Sequence, residues 1–198
     1  KPSFLTVFAP VLAVKLLADL FRGVRFRQVF LLGSTVLPAC GVVLWQNMVL
    51  FGEETGHGIA FSPWYTFSLH ANRTKLAVLC SIAFPLAVLL FSLGELLRDR
   101  LYLFAWGMTG LGFLEALCLV ETGSRSRDGN FLWGYCIAIF LIFVMSLDKW
   151  LFLWRKRGQG LFYKLAAGAC GAVFAYQVFC GVDFCARLLA GETYFMAN

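Results

Sequence analysis

Apolar residues run almost unbroken through six stretches of this chain, residues 3 to 21, 29 to 51, 76 to 94, 101 to 120, 131 to 154 and 161 to 181, and charged residues gather between them. Each stretch is close to the roughly 20 residues that a helix, rising 1.5 Å per residue, needs to cross about 30 Å of hydrocarbon. The pattern predicts an all-α fold, a polytopic helical transmembrane bundle of about six spans, forming a single transmembrane domain over residues 1–198. Between the second and third stretches the connection 52–75 breaks the apolar run with Glu53, Glu54 and His57. It then turns aromatic, with Phe61, Trp64, Tyr65 and Phe67. Ser62 followed by Pro63 is a good helix start, with serine as N-cap and proline in the first turn. A short interfacial helix over about residues 63 to 70 follows from that reading, with Phe61, Trp64, Tyr65 and Leu69 favouring one side.

Composition excludes a water-soluble core of this size: 60% of residues are hydrophobic, 14% are charged and the mean hydropathy is +0.76. A net charge of +6 raises the question of nucleic acid. The basic residues sit at the ends of apolar stretches, however, where membrane lipid with anionic headgroups is the natural partner, so no nucleic acid is expected. Their placement also orients the chain, because Lys and Arg are retained on the cytoplasmic side. Arg22, Arg25 and Arg27 follow the first span, Arg98 and Arg100 separate the third and fourth, and Arg155, Lys156 and Arg157 separate the fifth and sixth. Both termini are then external, in an integral membrane protein. An external start at Lys1, with neither an initiator Met nor a signal peptide, leads to the expectation of a missing N-terminal portion or a partner subunit.

The seven cysteines read as small buried apolar residues, and none has the spacing of a metal ligand, so neither metal nor cofactor is expected. Cys180 and Cys185 near the end of the last span are a weak disulfide pairing. Pro10, Pro38 and Pro85 each remove a backbone donor from a span. The resulting kinks either open grooves between helices or are simple packing irregularities. Ala167, Gly168, Gly171, Ala172 and Ala175 give the last span small-residue faces suited to close helix contact. Among ionisable residues in the spans, Lys15 and Asp19 are spaced to pair, and Lys149 beside Asp148 can reach outward to the interface. Glu115 has no local basic partner, which makes it either a functional group or a polar contact between helices.

The connection Glu121-Thr-Gly-Ser-Arg-Ser-Arg-Asp-Gly-Asn130 is short and polar. Arg125 and Arg127 are suited to grip a phosphate or carboxylate through paired donors, with Glu121 and Asp128 orienting a hydroxyl. The same charges are equally suited to pair among themselves in a solvated turn. His57 and His70 are either acid–base groups or ordinary interfacial residues. Asn72-Arg-Thr74 matches a glycosylation acceptor pattern.

Lys1-Pro-Ser-Phe-Leu-Thr-Val-Phe-Ala-Pro10, the basic turn through Arg27, the span around Leu37-Pro38, and the Glu121 to Trp133 stretch with its Gly129-Asn130-Phe131 end together resemble the later membrane half of bacterial GT-C-type glycosyltransferases. The resemblance is one of layout across most of the chain. It implies an enzyme that takes sugar from a polyprenyl-phosphate sugar donor at the external face. It further implies that Arg125 and Arg127 hold the donor phosphate while Glu121, Asp128 or His57 contact the sugar or acceptor. The family's acidic catalytic motif lies in an early loop that this chain lacks, so no catalytic residue is carried over. A transporter or flippase for an anionic lipid or solute, or a scaffold subunit, is the competing expectation.

Overall fold

The computed structural model describes residues 3–51, 58–91, 93–123, 126–155 and 160–191. In chain order the elements are α1 (Ser3–Phe21), α2 (Phe26–Ser34), α3 (Leu37–Phe51), β1 (Ile59–Phe61), α4 (Tyr65–Ser68), α5 (Thr74–Phe91), α6 (Leu93–Leu96), α7 (Arg100–Cys118), β2 (Leu119–Glu121), α8 (Asn130–Arg155) and α9 (Leu161–Leu189). Six segments are long and apolar enough to cross a membrane: Ser3–Phe21, Phe26–Gln46, Thr74–Phe91, Arg100–Cys118, Asn130–Arg155 and Leu161–Leu189. The protein is an all-α, polytopic, integral membrane protein. Its contacts cluster into two compact units, Lys1–Phe67 with Phe104–Ala138, and Ser68–Leu103 with Ile139–Asn198.

In the first unit α1 packs on α2 and α3, and Val7, Met108 and Ala138 form a buried centre flanked by Phe4, Phe8, Val11, Phe104 and Leu111. Backbones approach closely at glycine. A methyl group added at Gly134 would lie 2.6 Å from the Ser3 carbonyl oxygen, so α1 and α8 cross where only glycine fits. Lys15 and Asp19 make the expected ion pair at 2.5 Å, which neutralises a charge on a largely buried carboxylate. The second span is interrupted before Pro38. Ser34 and Thr35 turn their hydroxyls back onto the carbonyls of Leu31 and Leu32, at 2.9 and 2.7 Å, and thereby occupy acceptors at the break between α2 and α3.

In the second unit α5 packs along α9, and the two are joined at Pro85. Proline supplies no N–H to the Ser81 carbonyl one turn earlier. The Gln177 carboxamide of α9 enters the gap: its Oε1 accepts the Phe84 N–H at 2.9 Å, while its Nε2 donates to the Cys80 carbonyl and lies 3.4 Å from that of Ser81. The backbone groups around Pro85 are thus met by a side chain of the neighbouring helix. Around it Phe84, Phe143, Trp150 and Phe174 form an aromatic core, with Phe84 ring centroids 5.0 Å from Phe143 and 5.1 Å from Phe174. Trp150 donates its indole N–H to the Ala167 carbonyl at 2.8 Å and packs against Gly171, where an added methyl would come within 2.9 Å of the ring. Of the small residues noted in the last span, Ala167 and Gly171 make this contact, whereas Gly168, Ala172 and Ala175 are exposed within the chain. Asp99 caps α7, accepting the N–H groups of Leu101 and Tyr102 at 3.0 and 3.1 Å, and pairs with Lys149 at 2.5 Å. Lys149 thus reaches a carboxylate in the connection that precedes α7.

Candidate functional site

The polar groups of the first unit gather where α7 ends. A helix terminus leaves its last carbonyls without intrahelical donors, a serious cost near hydrocarbon. Here the segment after α3 supplies them. Ser62 N–H donates to the Cys118 carbonyl and Trp64 N–H to that of Leu117, both at 2.9 Å, and the Thr66 hydroxyl lies 3.4 Å from that of Leu119. The chain leaving α7 then straightens into β2 and pairs antiparallel with β1, in the register Ile59 with Glu121, Ala60 with Val120 and Phe61 with Leu119. Thr122 N–H continues the ladder to the Gly58 carbonyl at 2.8 Å.

To follow this path Trp64 adopts φ 66°, a left-handed conformation rare for a bulky side chain. That excursion sets the helix boundary. The expected interfacial helix is present, but as the single turn Tyr65–Ser68, because the left-handed φ of Trp64 cannot belong to a right-handed helix. Thr66 and Phe67 are the buried residues of the turn, and the Phe67 ring is wedged against Phe113 and Tyr135 with centroids 5.9 and 5.8 Å apart.

Glu121, at the end of β2, accepts a hydrogen bond from the Asn130 carboxamide at 2.7 Å. Asn130 opens α8, so the pair closes the connection between the two spans like a clasp. Gly123 and Gly129, at φ 77° and 60°, turn the chain at either end of that connection, a conformation that favours glycine. Arg127 and Asp128 lie exposed between them. Arg125 and His57 fall outside the described residues. His70 follows α4 in the other unit and is half-buried, and burial lowers its pKa, so the imidazole is neutral at neutral pH.

No protein-family model, curated protein or solved structure matches this chain. Its chemistry is therefore argued from its own side chains. Glu115, one turn before the end of α7, finds a partner that sequence reasoning missed. The Thr6 hydroxyl of α1 lies 2.8 Å from Glu115 Oε2 and 2.9 Å from the Ser3 carbonyl oxygen. One proton serves two acceptors, so the carboxyl is tethered to α1 without being fully satisfied by it. Among the described residues no cluster of three His, Cys, Asp or Glu side chains is placed to hold a metal ion. Asn130 was visible in the sequence only as the end of a polar connection. Its signal was position, a carboxamide at a helix start, nine residues from a glutamate.

Proposed function

We propose that this chain is the membrane part of a glycosyltransferase that uses a polyprenyl-phosphate-linked sugar, with the ribbon end facing outward from a bacterial cytoplasmic membrane. One arrangement carries the reading: a carboxylate, Glu121, held by a carboxamide, Asn130, at a span terminus and in the same connection as exposed Arg127 and Asp128. A lipid-linked donor needs a cation at headgroup level and acceptors for sugar hydroxyls beside it, and this connection offers both. In this reading Arg125 and Arg127 hold the donor phosphate, and Glu121, Asp128 or His57 contact the sugar or the acceptor.

The test is donor binding and sugar transfer by the protein reconstituted in vesicles, with a short-chain polyprenyl-phosphate hexose as donor. Loss of one charge-assisted contact costs about 1.5 to 3 kcal/mol, so Arg125→Ala or Arg127→Ala should weaken donor binding roughly ten- to a hundredfold. Lysine should rescue each in part, since it keeps the charge without the planar fork. Near-wild-type binding by the double alanine variant refutes the phosphate assignment. Glu115, a carboxyl inside a span bonded to a hydroxyl of another, favours the transport reading. Movement of the lipid-linked sugar across the vesicle wall with no transfer to an acceptor would select it.

A further inference from the structure

The antiparallel register puts directly paired residues on the same face of the ribbon. Ala60 and Val120 form one face, and Val120 is buried against the protein. Ile59, Phe61, Leu119 and Glu121 form the other, which looks outward: Ile59 is 60% and Phe61 73% exposed. The Glu121 carboxylate therefore shares its face with an exposed aromatic ring one diagonal position away, a separation of roughly 7–8 Å between backbones. Asn130, which holds that carboxylate, is followed one helical turn later by Trp133, 48% exposed. Residues at that spacing are neighbours on a helix surface. A carboxylate–carboxamide pair is thus bordered by two exposed aromatic rings.

We propose that this outer face of the ribbon is a saccharide-binding platform, on which a hexopyranose ring stacks against Phe61 while the Glu121–Asn130 pair takes its hydroxyls and Trp133 borders the bound ring. A pyranose presents two surfaces. Its axial C–H groups form an apolar, weakly positive face that complements the negative face of an aromatic ring. Its rim of vicinal hydroxyls matches a carboxylate and an amide held side by side, an acceptor beside a group that both donates and accepts. A lipid chain would use the aromatics and leave the carboxylate idle, and a phosphate would be repelled by it. The proposal rests on the transferase reading for the source of the sugar, whereas the geometry of the platform belongs to the ribbon itself.

The experiment uses the full chain in phosphatidylcholine nanodiscs, with the methyl glycosides of glucose, galactose, mannose and N-acetylglucosamine as probes, read by saturation-transfer NMR. At least one glycoside should receive saturation, strongest at its axial C–H protons. Phe61→Ala and Glu121→Gln should each reduce the signal at least tenfold, and Phe61→Trp should retain it. Phe61 is exposed, so its replacement leaves the fold intact, as thermal unfolding of each variant would verify. The proposal is overturned if no glycoside receives saturation, or if the signal survives both variants. It is overturned equally if Phe61→Ala changes only lipid contact, which would make the face a membrane anchor. Glycoside binding without transfer from the polyprenyl-phosphate donor would keep the platform and remove the transferase. Transfer that survives both variants would do the reverse.

Discussion

Replacing Gln177 with leucine should destabilise the protein by an amount that depends on whether residue 85 is proline. The carboxamide accepts from Phe84 N–H and donates to the Cys80 carbonyl, with Ser81 near enough to share the second proton. Leucine fills similar volume and makes none of these bonds. Side-chain hydrogen bonds between membrane helices contribute about 0.6 kcal/mol on average and up to about 1.7. Two good bonds lost give an expected loss of about 1–3 kcal/mol. With Pro85→Ala the helix can close its own ladder, Phe84 onto Cys80 and residue 85 onto Ser81, and Gln177→Leu should then cost less than about 0.5 kcal/mol. The double-mutant cycle should accordingly show a coupling of about 1–2 kcal/mol. Reversible unfolding in mixed micelles, followed by tryptophan fluorescence, supplies the four stabilities. Equal losses in the proline and alanine backgrounds would refute the idea that Gln177 repairs the Pro85 gap.

Gly134→Ala forces a methyl group to within 2.6 Å of the Ser3 carbonyl and should cost about 1–3 kcal/mol, whereas Gly168→Ala, with open space around it, should be near neutral by the same unfolding measurement. Gly171→Ala should displace the Trp150 ring, seen as a shift in tryptophan emission, and Trp150→Phe in that background should restore part of the stability. The Lys149 ammonium and the N–H groups at the start of α7 hold the Asp99 pKa below its ordinary value. Its stabilisation is therefore present above the unfolded pKa of about 3.9 and is lost as pH falls through the lower folded value. Stability should drop in that acid range, and Asp99→Asn, which keeps the cap, should flatten the drop. For topology, a cysteine introduced at position 126 should react with an impermeant reagent applied outside intact cells and one at position 157 should not; the opposite pattern reverses the orientation.

The spans were legible because hydrocarbon enforces length and apolarity on each one independently. The apolar stretch 161 to 181 ends before Asp183 and Arg187, and in the structure these two pair at 2.9 Å within a longer α9. Contacts between spans were far less legible. Nothing near Pro85 indicates that its missing donor is replaced by a residue 93 positions from Phe84. Glu115 could be recognised as needing a partner, but Thr6, 109 residues away, carries no mark of being that partner. The ribbon was hidden for a different reason. Leu119-Val-Glu121 continues the apolar run of the fourth span, and β-branched and aliphatic residues there serve helix and strand alike, so only the need to satisfy the end of α7 decides between them. Glu121 was singled out as a charged loop residue, and its bond to Asn130 turns that loop position into a fixed one.

The ribbon also has a history within each molecule. The segment from Ile59 to Thr66 is synthesised early, but its acceptors at Leu117, Cys118 and Leu119 arrive only after two further spans, 53 residues separating Thr66 from Leu119. During insertion its donors must be held by interfacial water or by the insertion machinery until the fourth span is in place. Its closure is thus a late step that cannot precede correct threading of residues 74 to 118. A chain that misthreads those spans is left with an open, aromatic strand edge at the membrane surface, which is the kind of exposed edge that pairs with other chains and that quality-control proteases can recognise.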